Sequence, residues 1–335
     1  MRLAFAGAGM ISVVHALSAA AVDAPVIAVA SRTRARAVER AEQTGARALD
    51  YRDLPAGADA IVVCTPPDRH LADTMKAIDA GVAVLVEKPL AATLTEADRL
   101  VDEGGRVLYG ENLAYSPLFV ATHRAVADLG PLEFVEIRQL SPRPTWGEFL
   151  DPRRGGGVLF DLGSHAIALA LLLAGADAPV SVRASLGRSP DLDVDDAAEV
   201  LIEFASGLRA RIEVDWRSVD TVWDIQASSA DGVVRTELIP RPEIEVGGEP
   251  VELPLLREST DPMIERLGYV EQMRTLAAVV DGADPPVDAR FGRRVLELIC
   301  AAYAAAHTPG SAVALPFTGR RDRTPHQLWS DTVGP

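Results

Sequence analysis

The sequence predicts two domains: an α/β domain with a parallel sheet, followed by an α+β domain whose large open sheet is mainly antiparallel. Residues 1–116 alternate apolar segments of strand length with helical patterns, several of which end in glycine. Residues 117–335 instead contain a series of strands separated by short turns such as Ser-Gly and Asp-Gly. The length of 335 residues also fits two domains better than one.

Five strands are predicted in residues 1–116. Their segments are RLAFAG, VIAVAS, ADAIVVC, VAVLVE and RVLYG. The intervening helices are predicted from MISVVHALSAA, RARAVERAEQTG, HLADTMKAIDAG and LTEADRLVDEGG. Strands that are apolar along their whole length are typical of a parallel sheet that helices cover on both faces.

The second domain is predicted to begin with a helix from about Leu118, a strand over LEFVEIRQLS and a proline-rich loop. An apolar helix follows within GVLFDLGSHAIALALLLAG. The strands predicted next, between residues 179 and 246, are VSVRASL, AAEVLIEFAS, LRARIEVDW, TVWDIQASS and GVVRTELI. Two further helices are predicted near 263–281 and 290–306, before a polar tail.

Composition excludes several classes of function. The net charge of −15 repels nucleic acid. The only cysteines, Cys64 and Cys300, cannot build a disulfide framework and belong to no metal-ligand cluster, so no metal is expected. The N-terminal segment has features of a signal peptide, but GAGM interrupts its apolar stretch and a strand–helix rhythm follows. The most apolar run, 166–176, is shorter than the roughly 20 residues that span a bilayer. We therefore expect a cytoplasmic protein that contacts no membrane.

A glycine-rich segment, AGAGMIS, lies between the first predicted strand and the first predicted helix. Gly7 permits a tight turn, and Gly9 allows the main chain to approach a pyrophosphate at the helix N-terminus. Ser12, a small residue, replaces the third glycine of the dinucleotide fingerprint. The alternative is an ordinary glycine-rich turn, but the strand–turn–helix context favours a dinucleotide-binding Rossmann domain. The expected cofactor contacts of this turn are Gly7, Gly9, Met10 and Ile11.

The end of the second predicted strand indicates which dinucleotide binds. An acid at this position would bind the ribose 2′-hydroxyl of NAD, but the chain has Ser31 and Arg32 there. Their hydroxyl and guanidinium, with Arg36 one turn later, suit the 2′-phosphate of NADP. The alternative is a solvated basic start of a helix. We expect NADP to be preferred over NAD.

Two further segments end strands at the carboxyl edge, where open parallel sheets bind ligands. CTPPDRH places Thr65 and Pro66 beside the expected cofactor, together with His70, whose alternative role is hydrogen bonding at a helix start. VEKPL places Glu87 and Lys88 at the same edge, where the alternative for the lysine is simple exposure to solvent.

Asp161 and His165 lie four residues apart in the apolar segment that begins at residue 157. On a helix, side chains at this spacing occupy one face. A buried carboxylate is costly unless it is paired. The pair is therefore either a helix-start cap beside a satisfied core histidine or part of a functional site.

Taken in order, GAGMIS…H, TPP..H, EKP and GGGVLFDLGSH resemble the Gfo/Idh/MocA family of nicotinamide-dependent oxidoreductases, and the resemblance covers almost the whole chain. In that family the lysine of EKP and the aspartate and histidine of the last motif meet at the substrate carbon that faces nicotinamide C4. The resemblance implies that Lys88, Asp161 and His165 are catalytic. His165 would exchange a proton with the reacting oxygen, Asp161 would orient it or hold a substrate hydroxyl, and Lys88 would stabilise the developing alkoxide.

The chain departs from this resemblance at two places. Many sugar- and cyclitol-oxidising relatives carry an acid where this chain has Ala168, and ENLAYSP lacks the arginine of many relatives. We therefore expect a substrate with fewer hydroxyls than a free hexose, or one held from other directions. The remaining expected contacts are Asn112 with the cofactor, and Tyr115, Trp146 and Arg153 with the substrate, alongside Lys88, Asp161 and His165; Arg154 and Trp216 are further candidates. For the tryptophans, the alternative is a place in the core or a dimer interface.

The function that these observations favour is an NADP-preferring oxidoreductase that interconverts a secondary alcohol and a ketone on a sugar, cyclitol or glycosylated small molecule. The alternatives are an NAD-dependent glycosidase of the same fold and a reductase of an imine or unsaturated ring. A non-catalytic nucleotide-binding regulator is less favoured, because a sensor needs no proton donor. Resemblance to the family implies a homodimer or homotetramer assembled through the strand-rich face of the second domain.

Overall fold

The chain divides into two structural units in the computed structural model, which describes residues 1–145, 147–252, 262–308 and 310–330. The first unit comprises Met1–Ser116 and Leu256–Arg293, and the second comprises Pro117–Leu255 and Arg294–Pro335, counting the described residues of those ranges. The sequence-based division has one boundary, after residue 116. In the structure a later segment, which that division assigns to the second domain, belongs to the first unit.

A six-stranded parallel sheet, in the order β3-β2-β1-β4-β5-β6, forms the centre of the first unit. Its strands are β1 (Leu3–Ala6), β2 (Val26–Ala30), β3 (Arg47–Leu49), β4 (Ala60–Val63), β5 (Ala83–Glu87) and β6 (Val107–Gly110). The connecting helices are α1 (Met10–Ala20), α2 (Arg34–Thr44), α3 (Pro67–Asp79) and α4 (Leu94–Glu103). Five of the strands match the predicted ones. Sequence analysis missed β3, which has only three residues, none of them fully buried, and so lacks an apolar run.

A nine-stranded sheet dominates the second unit, in the order β14-β13-β12-β11-β7-β10-β9-β8-β15. Neighbouring strands are antiparallel except for β7 and β10, which are parallel. Its longer strands are β7 (Leu132–Pro142), β8 (Pro179–Gly187), β9 (Ala197–Phe204), β10 (Arg209–Asp215), β11 (Arg217–Ser229) and β12 (Gly232–Ile239). Its shorter strands are β13 (Glu243–Val246), β14 (Glu249–Pro250) and β15 (Val313–Ala314). The two sheets confirm the predicted fold class.

The helices complete the two units. They are α5 (Pro117–Ala127) and α6 (Val158–Ala174) in the second unit, α7 (Pro262–Arg266) and α8 (Tyr269–Val280) in the first, α9 (Ala289–His307), which begins in the first and continues in the second, and α10 (Pro325–Ser330).

Helix α6 is the most deeply buried helix of the second unit. Every residue from Val158 to Leu171 is buried, and the helix packs against β7, β9 and β10. With the turn before it, this segment is long and apolar enough to cross a membrane, but 89% of its apolar window is buried inside the protein, as in a core helix. A helix that is apolar on all sides is typical of such a position.

Candidate active site

The turn between β1 and α1 has the geometry that a dinucleotide pyrophosphate requires. Gly7 has a φ of +110°, and a Cβ there would lie 2.6 Å from the main-chain carbon and oxygen of Cys64, where β4 ends. Only glycine fits this position. Gly9 is the N-cap of α1, and a Cβ added there would meet no atom within 4 Å. Open space therefore lies beside Gly9 at the start of α1, where the phosphate site is predicted.

A buried arginine that sequence analysis missed lies beside this turn. Arg40, only 9% exposed, donates from Nε to Ser12 Oγ at 3.0 Å, and its Nη1 donates to Gln43 Oε1. Ser12 Oγ in turn donates to the Gly9 carbonyl at 2.6 Å. Both of these acceptors of Arg40, a hydroxyl and an amide oxygen, are neutral groups. The sequence signal for this residue is its position in the arginine-rich helix α2, one turn beyond Arg36.

The loop after β2 carries the residues predicted to distinguish NADP from NAD. Ser31 Oγ accepts a hydrogen bond from the main-chain N–H of Thr33 at 3.3 Å, and Arg32 and Arg36 are exposed. Burial raises the pKa of Tyr51, and a hydrogen bond from the Arg32 main chain opposes that rise. Tyr51 therefore lies next to the Arg32 main chain.

Two cationic side chains contact the ring of Tyr51. The guanidinium carbon of Arg69 lies 5.4 Å from the centre of the Tyr51 ring, and Lys76 Nζ lies 5.2 Å from it. Asp73 accepts from Arg69 at 3.0 Å and lies 3.5 Å from Lys76. One carboxylate is thus shared by two cations, so the local charge of this group of three is positive.

His70 links two of the predicted motifs. Its ring is 1% exposed, with Nδ1 2.9 Å from the Pro89 carbonyl oxygen and Nε2 2.7 Å from the Thr65 carbonyl oxygen. Since both ring nitrogens are engaged by the main chain, neither remains for a cofactor. This geometry corrects the expected cofactor contact of His70 in favour of its alternative role. Thr65 and Pro66 lie at the carboxyl edge as expected, with Thr65 Oγ1 donating to Asp73 at 3.1 Å.

Glu87 points toward α1. Its Oε1 lies 2.7 Å from Nε2 of His15, which is fully buried, and its Oε2 accepts the main-chain N–H of Lys88 at 3.1 Å. The carboxylate therefore fixes the main chain at Lys88, a positioning role that sequence analysis did not predict, while its expected contact with a cofactor stays a prediction. His15 is the histidine of the motif GAGMIS…H, to which sequence analysis gave no role.

Asn112 and Tyr115 lie in a short 3₁₀ turn after β6. Asn112 Nδ2 donates to the Leu267 carbonyl at 2.8 Å, so one amide proton connects this turn to the segment before α8. The second amide proton and the amide oxygen remain, and the expected cofactor contact of Asn112 stays a prediction. Burial raises the pKa of Tyr115. The Tyr115 hydroxyl has no hydrogen-bond partner among the described residues, which is compatible with its predicted contact to a substrate oxygen.

Asp161 and His165 lie on α6 in the second unit, and both are buried. The His165 ring lies 6.2 Å, centre to centre, from the ring of Trp223 on β11, at an angle of 36°. Ala168 is also fully buried, so no polar group replaces the missing acid at that position.

Two residues that sequence analysis missed face the same side of the sheet as this pair. Trp223 on β11 and Gln139 on β7 are register neighbours in adjacent antiparallel strands. Trp223 Nε1 and both polar atoms of the Gln139 side chain are buried without a hydrogen-bond partner among the described residues. An unpartnered buried polar group costs about 1–3 kcal/mol. These three atoms therefore indicate a surface that binds polar groups of a ligand.

A sequence signal for Gln139 exists in hindsight. On β7 the buried positions alternate as Val135, Ile137 and Gln139, so a glutamine occupies the third position of an apolar series. Trp223 gives no such signal, because a tryptophan in a strand is ordinarily a core residue.

The remaining predicted substrate contacts are distributed differently. Arg153 is exposed over 86% of its side chain and donates to Asp151, which lowers the pKa of that carboxyl to about 2. Arg154 pairs with Glu148 at 3.2 Å. Trp216 is buried, as its alternative role in the core requires. The prediction for Trp146 lies outside the described residues.

Comparisons with known proteins define the class. Residues 1–105 match the oxidoreductase family with an NAD-binding Rossmann fold, and residues 121–235 match the Gfo/Idh/MocA C-terminal domain. Inositol 2-dehydrogenase of Rhizobium meliloti is 31% identical over 226 residues, which cover 63% of this chain and 68% of that protein. The chain belongs to the Gfo/Idh/MocA family of oxidoreductases, which confirms the predicted family and class of enzyme.

Two further relatives cover more of the chain. D-xylose 1-dehydrogenase (NADP(+)) 2 of Haloferax volcanii is 29% identical over 331 residues, covering 93% of this chain and 98% of that protein. The crystal structure of GenD2 from gentamicin A biosynthesis, in complex with NAD, has a TM-score of 0.83 at 29% identity and covers 94% of this chain and 96% of that one.

Proposed function

We propose that this protein is an NAD(P)-dependent oxidoreductase that interconverts a secondary alcohol and a ketone on a sugar, cyclitol or glycosylated small molecule. The observation that carries the proposal is the Asp161/His165 pair on a buried helix, beside the indole N–H of Trp223, which has no hydrogen-bond partner among the described residues. The names of the relatives, an inositol dehydrogenase and a xylose dehydrogenase, support a polyhydroxylated substrate.

Each catalytic side chain has a separate task. When bound, the nicotinamide supplies or accepts the hydride. In the direction of oxidation, His165 accepts the proton of the substrate hydroxyl, and in reduction it returns a proton to the carbonyl oxygen. Asp161, four residues earlier on the same face of α6, orients the imidazole or a neighbouring hydroxyl. Lys88, whose main chain Glu87 fixes, stabilises negative charge on the reacting oxygen.

Hydroxyl recognition shifts from the helix to the sheet in this chain. Ala168 offers no carboxylate, whereas Trp223 offers a donor and Gln139 offers both a donor and an acceptor. These groups support the expectation that the substrate is held from other directions. We assign them to hydroxyls next to the reacting carbon.

NADP is the proposed preferred cofactor. Ser31, Arg32 and Arg36 follow β2 with no acid among them, and Arg69 adds positive charge beside Tyr51, next to the Arg32 main chain. A 2′-phosphate adds negative charge that such a group attracts. The Haloferax relative is named for NADP, while GenD2 was crystallised with NAD. Membership of the family therefore does not predict the preferred cofactor, and the proposal rests on the residues after β2.

We also propose a cytoplasmic homodimer or homotetramer with a small-molecule substrate. The large sheet exposes apolar side chains, among them Val180 on β8 and Val219 on β11, which is 88% exposed. Association through this sheet would remove them from water.

Sedimentation equilibrium of the purified protein is expected to give a dimer or tetramer, and a monomer at micromolar concentration contradicts the assembly.

Substitution of the catalytic groups tests the reaction. His165→Ala and Lys88→Met are each expected to lower kcat by on the order of 10²- to 10⁴-fold, because a proton-transfer group or an oxyanion partner is removed. Cofactor affinity, measured by fluorescence titration of NADPH, is expected to stay within about twofold of wild type, since neither change removes phosphate contacts. His123→Ala, an exposed histidine on α5, is the control. Near-normal turnover of either variant on the true substrate removes that residue from the mechanism.

Substitution of Arg32 tests cofactor choice. Arg32→Ala is expected to raise the KM for NADP about tenfold while changing the KM for NAD by less than twofold, because one charge-assisted contact to the 2′-phosphate is lost. Arg47→Ala, an exposed arginine on β3, is the matched control. A clear preference of the wild-type enzyme for NAD is incompatible with the proposed selectivity.

Substitution of the sheet residues tests hydroxyl recognition. Trp223→Phe retains the ring and removes the N–H, and Gln139→Leu removes the amide. Each is expected to raise the substrate KM about tenfold, because a substrate hydroxyl loses its partner. Gln226→Leu alters a position of β11 on the opposite face of the strand and serves as control. Unchanged KM values for both variants across a panel of sugars and cyclitols would place the substrate elsewhere.

A further inference from the structure

The start of α6 is held by a residue to which the reaction assigns no task. The N-cap of this helix is Gly157, which has no side chain to accept the first N–H groups. Asp195, in the loop before β9, accepts them instead. The Val158 N–H donates to the Asp195 main-chain oxygen at 2.9 Å, and the Leu159 N–H donates to its Oδ2, also at 2.9 Å.

Tyr303 of α9 holds the other oxygen of this carboxylate. Its hydroxyl donates to Asp195 Oδ1 at 2.6 Å, and both residues are fully buried. Gly157 has a φ of +112°, and a Cβ there would overlap the Asp195 carboxylate and lie 2.7 Å from the Tyr303 hydroxyl. The glycines before α6 therefore leave the space in which a carboxylate from a distant loop caps the helix.

The charge of Asp195 is sensitive to pH near neutrality. Burial raises the pKa of Asp195 to about 7, while the hydrogen bonds from Tyr303 and Leu159 oppose that rise. The neighbouring carboxyl of Asp196 raises the pKa further, although Asp196 is itself paired with Arg217 at 2.6 Å. The cap therefore exchanges between a charged and a neutral form near pH 7.

We propose that Asp195, held by Tyr303, is a positioning residue that fixes the first turn of α6 and with it the placement of Asp161 and His165. The proposal rests on the function proposed above. A carboxylate at a helix N-terminus is favoured by the helix dipole, and its hydrogen bonds are charge-assisted. His165 lies seven residues beyond Val158, which is about 10 Å along the helix. Because the helix is rigid, a displacement of its first turn also displaces the buried imidazole of His165.

The decisive variant is Asp195→Asn, which retains the shape and an acceptor for Leu159 but removes the charge. We expect kcat to fall on the order of tenfold, with the substrate KM and the dissociation constant of NADPH within about twofold, because misplacement of reacting groups lowers turnover more than binding. In the direction of reduction, in which His165 donates the proton, the kcat of wild type is expected to decline as Asp195 is protonated below about pH 7. The Asn variant is expected to lack this inflection.

The stability of Asp195→Asn is expected to rise above that of wild type, although its kcat falls. Because burial raises the Asp195 pKa above its unfolded value, wild type loses stability as pH rises from about 4 to about 7, and the Asn variant does not. The urea midpoint of Asp195→Asn is therefore expected to exceed that of wild type at pH 8.5, and by less at pH 5.5. If Asp195 only stabilised the helix, Asp195→Asn would lower the stability of the protein together with its activity.

Two further variants complete the test. Asp196→Asn removes a neighbouring buried carboxylate that is bonded to Arg217 and Ser189 and makes no hydrogen bond with α6 among the described residues. It is expected to keep the kcat of wild type above the inflection and to move the inflection to lower pH, because the charge that raises the Asp195 pKa is lost. Tyr303→Phe removes one hydroxyl and is expected to lower kcat about threefold. It is also expected to move the inflection to higher pH, since the lost hydrogen bond favours the charged form.

The inference and the proposed function fail differently. If Asp195→Asn retains wild-type kcat and pH profile while His165→Ala is inactive, Asp195 has no positioning role and the proposed function stands. If His165→Ala and Lys88→Met both remain fully active, the proposed function itself fails. Should Asp195→Asn not fold, unchanged kcat and inflection in Tyr303→Phe overturn the inference.

Discussion

The burial of α6 from Val158 to Leu171 is the constraint on which the second unit depends. A helix with no solvent-exposed side cannot leave its first N–H groups to water, and Gly157 cannot cap them. The chain resolves this with Asp195, 36 residues away from the Leu159 N–H that it accepts. Burial also provides the low-dielectric surroundings in which a histidine and an aspartate can act on a ligand without competition from water. The same apolar packing that stabilises the helix therefore creates both the need for a distant cap and the environment of the site.

The first unit meets a related constraint at the edge of its parallel sheet. Each loop there must hold a defined shape close to a ligand, and buried polar side chains supply the connections. His70 joins the main chains at Thr65 and Pro89, and Glu87 joins His15 to the main chain of Lys88. These side chains lie next to the proposed site but act through the backbone. Residues at a functional edge thus divide into those that meet a ligand and those that hold the loops.

That division explains how far sequence alone could reach. Strand and helix periodicity, the glycine turn and the ordered motifs predicted the fold class and the family, because these signals are local or lie in a fixed order along the chain. The three-residue strand β3 carries too little pattern to detect. His70 and Glu87 could be placed at the correct edge, but whether a side chain turns toward a ligand or toward a neighbouring loop depends on partners far away in sequence. The role proposed for Asp195 is visible only in tertiary contacts, whereas Arg40 and Gln139 each left a signal in the pattern of their own element that becomes clear only with those contacts.

The position of Ala168 shows why the substrate is harder to predict from the sequence than the type of reaction. Its loss of an acid, considered alone, indicates a substrate with fewer hydroxyls. The sheet changes that interpretation, since Trp223 and Gln139 present, on the face that packs toward α6, three polar atoms with no hydrogen-bond partner among the described residues. Burying them without a ligand would cost several times about 1–3 kcal/mol, a large part of the stability of an ordinary domain. Because one of these groups, Trp223, contacts His165, the proposal that the strands supply hydrogen bonds to a hydroxylated substrate follows from the same burial that places His165 in the site.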